Sequence, residues 1–138
     1  MFDPTSPAVR DYGIALLRIA LGIMFLAHGL LLKVFVFTMA GTAAFFETIG
    51  FPGWLAWATM LAETAGGLLL IAGIGTRIVA LAMTPILLGA WYVHAGNGWV
   101  FSAPNGGWEY PAYLLVLCVA QMLLGSGTFS LRRSTIGA

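Results

Sequence analysis

The sequence predicts an all-α protein: a four-helix transmembrane bundle with cytoplasmic N- and C-termini and a short interfacial helix between helices one and two. Two observations lead to this prediction. The 138-residue chain is 60% hydrophobic and 8% charged, whereas soluble domains carry roughly 25% charged residues, so its few charges cannot cover a water-exposed globule. Four apolar segments also follow one another without the period-two alternation that is typical of membrane β-barrels, which indicates helices.

The first span is predicted over residues 13–37, longer than the ~20 residues that cross a ~30 Å hydrocarbon core. It contains three basic or titratable side chains, Arg18, His28 and Lys33. The preceding "MFDPTSPAVRDYG" lacks the basic start and clear cleavage site of a signal peptide. We therefore expect this apolar segment to be retained as a helix.

The second span is predicted over residues 54–75, and Glu63 is its only charged residue. Thr59, Gly66 and Gly67 fall on the same side of the helix as Glu63, and small residues mark places where a neighbouring helix approaches closely. Glu63 is therefore predicted to point into the bundle. Before this span, "TMAGTAAFFETIGFPG" combines clustered phenylalanines with Glu47, which favours a short helix at the membrane interface.

The third and fourth spans are predicted over residues 77–95 and 109–131. The loop between them, "AGNGWVFSAPNGG", is rich in Gly, Asn and Pro, and no repeat or linker suggests a second domain. The whole chain, residues 1–138, is therefore predicted to form one membrane domain.

Positive residues predict the orientation. With four spans both termini share a side, and that side carries Arg10, Arg77, Arg132 and Arg133, whereas Lys33 is alone on the other. The positive-inside rule then places both termini in the cytoplasm. The protein is thus predicted to be a multi-pass protein of the cell membrane. Tryptophan and tyrosine side chains concentrate near the outer boundary, as in an aromatic belt.

The polar residues predict a pocket that opens outward and is built by His28, Glu63, His94, Glu109 and Lys33. At ~1.5 Å per residue, Glu63 lies about 13 Å below the outer surface and His28 roughly 8 Å below it. Ionisable groups at such depth are functional by default, although polar contacts between helices are the structural alternative for Glu63. His28 and Glu63 are predicted as the catalytic, proton-relaying pair.

Several kinds of site are disfavoured. A net charge of +1 leaves no basic stripe for nucleic acid, and the single Cys118 excludes an internal disulfide. A haem held by His28 and His94 would rest on two histidines alone, and a zinc site would need a third nitrogen or sulfur ligand. No metal is therefore predicted, and a quinone is the cofactor that the chain could accept.

The motifs resemble those of the DoxX family of small four-helix membrane proteins. The matching stretches are "RIALGIMFLAHG" followed by Lys33, "GTAAFFETIGFP", "LAETAGGLLLIAGIGTR" and "NGGWEYP". The family often carries Gln between the His-Gly pair and the lysine, whereas "HGLLLK" is apolar here. The family motifs and the predicted pocket together indicate two sets of residues. The predicted substrate-binding residues are Lys33, His94, Asn105, Trp108, Glu109 and Tyr110. The predicted structural residues are Arg18, Gly22, Gly29, Gly66, Gly67 and Arg77.

The resemblance implies a membrane component of a redox system. The family name is shared with a subunit of an archaeal thiosulfate:quinone oxidoreductase. Some bacterial members are similar to a membrane component that joins a superoxide dismutase and a sulfurtransferase in thiol-linked defence against oxidative stress. The function predicted from it is a quinone-linked or thiol- and sulfur-linked oxidoreductase component, in contact with membrane lipid and with a soluble redox partner protein.

Two other functions remain open at this point. The protein could be a non-catalytic scaffold or assembly factor that docks a soluble enzyme through "GNGWVFSAPNGGWEYP". It could also be a transporter of small molecules or lipids, in which case a homo-oligomer is expected because four helices enclose only a narrow pore. Whether the chain is itself an enzyme is not decided by the sequence.

Overall fold

The structure, a computed structural model, describes residues 6–131, and its regular elements are helices. Helix α1, Pro7–Leu26, continues without a break into a π-helical stretch, Ala27–Val36, which we call the π-segment. The predicted orientation signals Arg132 and Arg133 lie outside the described residues. The helices that follow are α2 Met39–Thr48, α3 Trp54–Ala72, α4 Thr76–His94, a 3-10 turn Ala95–Asn97, and α5 Glu109–Leu124.

Within residues 6–131, three helical stretches are long and apolar enough to cross a membrane: Pro7–Val36, Trp54–Ala72 and Thr76–Asn97. Helix α5 is also apolar, but its 16 residues are fewer than the ~20 of a typical span. Large apolar side chains such as Leu16 and Phe35 are about 70% exposed on the outward faces of the first stretch. The prediction of an all-α membrane protein is therefore confirmed at this level.

The helix ends differ from the predicted ones where proline and glycine act. Helix α1 begins at Pro7 rather than at residue 13, because proline suits the first position of a helix. Helix α3 ends at Ala72 rather than at residue 75, because the next residue, Gly73, adopts a left-handed conformation with φ 70°. Helix α5 ends at Leu124 rather than at residue 131, because Gly125, with φ 88°, turns the chain away from the helix axis.

Two helix pairs form the bundle, α1 with α3 and α4 with α5. We call the end where α1 begins and α5 ends the terminal end, and the opposite end the loop end. Gly22 and Gly67 lie where α1 and α3 touch: a methyl group on Gly67 would lie 2.7 Å from the carbonyl oxygen of Gly22. The core between the pairs consists of Leu21, Phe25, Leu70, Ala80, Met83, Leu87, Leu114 and Cys118.

At the terminal end, Arg18 holds the chain that follows α5. Its side chain is fully buried, and Nη2 donates hydrogen bonds of 3.0 Å to the carbonyl oxygens of Thr128 and Phe129. The amide of Leu131 donates to the carbonyl oxygen of Ala72 at the end of α3. The guanidinium of Arg18 lies beside Gly73, at the C-terminal end of α3. Because this end of a helix carries partial negative charge, it offsets the positive charge of the guanidinium.

Candidate functional site

The π-segment brings the side chain of Lys33, whose backbone lies near the loop end, to Glu63 in the middle of α3. In a π-helix the backbone bonds join residues five apart, as in the 2.8 Å bond from the amide of Phe37 to the carbonyl of Leu32. Lys33 Nζ donates to Glu63 Oε2 at 2.5 Å and reaches the carbonyl oxygen of His28 at 3.4 Å. The two side chains are only 15% and 8% exposed. Lys33 and Glu63 therefore form a buried ion pair.

Two small residues allow this pair to form. A methyl group on Gly29 would lie 2.8 Å from the amide nitrogen of Thr64 and 2.9 Å from Cβ of Glu63, so glycine lets the π-segment touch α3 beside the carboxylate. On the other side, the buried hydroxyl of Thr42 in α2 donates to the carbonyl oxygen of Thr38 at 2.8 Å and also lies 3.2 Å from the carbonyl oxygen of Lys33. The backbone that carries the ammonium group is thus held between α2 and α3.

His28 is not hydrogen-bonded to Glu63, contrary to the prediction of a paired imidazole and carboxylate. Its Nδ1 lies 2.9 Å from the carbonyl oxygen of Met24, and its ring stacks at 6.2 Å on that of Tyr110. A carbonyl only accepts, so Nδ1 carries a proton, and in the neutral ring Nε2 is left as an acceptor. His28, Lys33 and Glu63 lie together nonetheless, and we call these three residues the polar cluster.

His94, Asn105 and Trp108 organise the loop between α4 and α5 and form no hydrogen bond to the polar cluster within residues 6–131. His94 Nδ1 bonds the carbonyl oxygen of Ala90 at 2.8 Å. The carbonyl oxygen of Asn105 accepts from the side chain of Asn97 at 3.1 Å. Trp108 packs edge-on against Trp99, with ring centroids 4.5 Å apart. The residues of the predicted pocket therefore lie in two places, the polar cluster and the loop, because the hydrogen bonds of the loop are made within the loop itself.

Glu109 and Tyr110 belong to an open groove of about 330 Å³ beside this loop, whose other lining residues are Trp99, Phe101 and Tyr113. Glu109 Oε1 accepts a 2.8 Å hydrogen bond from the amide of Phe101. Tyr113 was not among the predicted site residues, although its position four residues after Glu109 and three after Tyr110 places all three on one helix face. Phe101 has no comparable local signal.

The remaining predicted structural residues lie where helices meet. A methyl group on Gly66 would lie 2.8 Å from Sδ of Met83, so this glycine admits α4. Arg77 is the second residue of α4, at the terminal end, and its Nε would lie 3.2 Å from a methyl group on Gly125. That nitrogen is buried and has no hydrogen-bond partner among residues 6–131.

Gly107→Ala is expected to open the loop, because the added methyl group would overlap the carbonyl of Val100. At this point the amides of Trp108 and Glu109 donate to the carbonyl oxygens of Gly98 and Trp99 at 3.0 and 3.1 Å. Relieving such an overlap typically costs 1–3 kcal/mol. Loss of the Trp99–Trp108 contact should be visible as a change in the near-ultraviolet circular dichroism.

The control for this substitution is Gly96→Ala, because a methyl group on Gly96 meets no atom within 4 Å. Its spectrum should match that of the wild type. An unchanged spectrum in Gly107→Ala would show that the loop does not close as described.

The fold and the site define a small helical membrane protein with a lysine–glutamate pair buried beside the middle of α3. Residues 13–96 match the DoxX family model, and the chain belongs to the DoxX family. The resemblance seen in the sequence motifs is thereby confirmed. The matched region contains the polar cluster and ends before the groove residues.

Among curated proteins, the chain is similar to "Putative oxidoreductase CatD" of Bacillus subtilis (strain 168), with 40% identity over 80 residues. The aligned region covers 58% of this chain, and the chain spans 58% of the length of that relative. No solved structure matches the chain.

Proposed function

We propose that the protein is a membrane component of a redox system, linked to a quinone or to a thiol or sulfur compound, with the polar cluster as its proton-handling site. The observation that carries this proposal is the ion pair of Lys33 and Glu63, 2.5 Å apart and mostly excluded from solvent, beside His28. The name of the Bacillus subtilis relative, "Putative oxidoreductase CatD", supports it.

The proposed chemistry assigns protons to the chain and electrons to a partner. Reduction of a quinone takes up protons as well as electrons, and histidine exchanges protons near neutral pH. Nε2 of His28 and the Lys33–Glu63 pair would exchange them with a ligand oxygen beside Tyr110. A soluble redox protein would supply the electrons, since the sequence contains no motif for an electron carrier. His28 and Glu63 are thus proposed as proton-transfer residues.

The proposed placement is a multi-pass cell-membrane protein with α5 as a fourth span and both termini in the cytoplasm. Arg10 and Arg77 lie at the terminal end and Lys33 near the loop end, which is the distribution that the positive-inside rule associates with cytoplasmic termini. Helix α2 would lie in the outer interface: its Phe45 is half-exposed, while its Thr42 contacts the π-segment. The polar cluster would then be reached from outside.

Quinone binding tests the proposed function. We expect the double variant Lys33→Met/Glu63→Gln, which removes both charges together, to bind a short-chain quinone at least about tenfold more weakly than the wild type. The reason is that a hydrogen bond from a charged donor contributes ~1.5–3 kcal/mol. Binding to the purified, detergent-solubilised protein is measured by quenching of tryptophan fluorescence.

The matched control is Arg10→Met, which removes a charge at the terminal end, where the Arg10 side chain is 70% exposed. It should bind quinone as the wild type does. Equal affinities of the wild type and the double variant would remove the polar cluster from the binding of quinone.

A further inference from the structure

The groove beside the loop is a second candidate site, separate from the polar cluster. Its lining consists of four aromatic side chains and one carboxylate, Trp99, Phe101, Tyr110, Tyr113 and Glu109. Neither His28 nor Lys33 nor Glu63 lines it, and Tyr110 alone touches both places through its stacking on His28. At about 330 Å³ the groove falls in the size range of small-ligand sites.

The charge of the lining decides what kind of ligand fits. Among residues 6–131, Glu109 is the only charged residue that lines the groove, and no lysine or arginine of this part of the chain lines it. One carboxylate oxygen, Oε1, accepts from the amide of Phe101, and no hydrogen bond within residues 6–131 engages the other. A neutral ring laid over this groove would take the carboxylate out of water without compensation, which costs free energy. An anion would be repelled by it.

We propose that the groove binds a quaternary ammonium group. Such a cation is attracted to the faces of Trp, Tyr and Phe rings, and aromatic cages with an acidic member are the usual way in which proteins hold it. The carboxylate of Glu109 supplies the opposite charge. The ammonium group could come from a free solute of the choline type or from a choline lipid headgroup.

The test compares choline with 3,3-dimethylbutan-1-ol, a neutral molecule of the same shape, on the full-length protein in a maltoside detergent. Isothermal titration calorimetry should show binding of choline at least about tenfold tighter than binding of the neutral analogue. Glu109→Gln should abolish this preference. Because the glutamine oxygen can still accept from the amide of Phe101, the loop should remain folded, which the near-ultraviolet circular dichroism checks.

Glu47→Gln is the matched control, because Glu47 is an exposed carboxylate outside the groove, and it should keep the preference for choline. Equal binding of the two molecules to the wild type, or an undiminished preference in Glu109→Gln, would overturn the proposal. Nanodiscs separate the two sources, because phosphatidylcholine and phosphatidylethanolamine have the same net charge and only the former carries a quaternary ammonium group: weaker choline binding in phosphatidylcholine discs assigns the site to the lipid headgroup, and equal binding assigns it to soluble cations. These results do not depend on quinone binding at the polar cluster.

Discussion

Lys33→Met is expected to destabilise the protein by about 3–5 kcal/mol, the usual cost of removing one partner from a buried ion pair. The lysine side chain is 15% exposed and the glutamate side chain 8%, so water reaches the abandoned carboxylate poorly. Within residues 6–131, Lys33 is the only hydrogen-bond partner of the Glu63 carboxylate. Glu63→Gln should be destabilising for the converse reason, because it leaves the ammonium group unpaired.

The double variant Lys33→Met/Glu63→Gln should be more stable than either single variant, because it buries no charge. Replacing both members of a buried pair by uncharged groups is often close to neutral. The free energy of unfolding is measured for all four proteins in mixed micelles, and the double-mutant cycle gives the coupling between the two residues. Additive effects would mean that the pair does not form in the membrane protein.

A surface pair provides the comparison within the same chain. Nε of Arg10 lies 3.6 Å from Oδ1 of Asp11, but the two side chains are 70% and 31% exposed. Exposed pairs contribute little, because water and salt screen them. Arg10→Met should therefore leave the stability almost unchanged, which separates the effect of burial from the effect of losing a positive charge.

The membrane class and the family could be predicted from the sequence because they depend on local properties. Hydropathy over a window of about twenty residues identifies a span without knowledge of its neighbours. The same holds for the short helix α2, since clustered phenylalanines beside Glu47 already indicate it. The helix ends were predicted less well, because the sequence contains several prolines and glycines near each end. Only the folded structure shows which of them begins or ends a helix.

The partner of Glu63 could not be predicted from a helical wheel. The wheel assumes 100° per residue, and this assumption fails in the ten residues of the π-segment. There the wider turn aligns Lys33 with the backbone of His28, five residues before it. His28 and Lys33 were both predicted in the pocket, but the carboxylate was paired with the imidazole, because the sequence pattern does not reveal the change of helix type.

The division of the predicted pocket has a non-local cause. His94, Trp108 and Glu109 are close in sequence to the loop, and their final positions depend on bonds that close it, from Trp108 to Gly98 and from Glu109 to Trp99. Glycine at position 107 permits this closure, since any side chain would meet the backbone of Val100. A Gly-rich stretch indicates a loop but does not specify its path.

Gly67→Ala is expected to lower the free energy of unfolding by about 1–3 kcal/mol, the typical cost of forcing extra volume into a packed contact. The added methyl group would lie 2.7 Å from both the carbonyl oxygen of Gly22 and the amide nitrogen of Leu26. Both are backbone atoms, so α1 and α3 must move apart. In a membrane this contact matters because small residues that let backbones approach are a main source of helix association.

The control, Gly89→Ala, should change stability in the opposite direction. A methyl group there meets no atom within 4 Å, and alanine favours a helix over glycine by up to about 1 kcal/mol. Thermal unfolding of the two variants under identical conditions therefore tests the packing and not the helix propensity. The same separation of helices should also loosen the ion pair, since Gly29, about two turns after Gly22, brings the π-segment against Glu63. If Gly67→Ala instead stabilised the protein as Gly89→Ala is expected to, α1 and α3 would not be in backbone contact, and the position of Lys33 beside Glu63 would lose its structural basis.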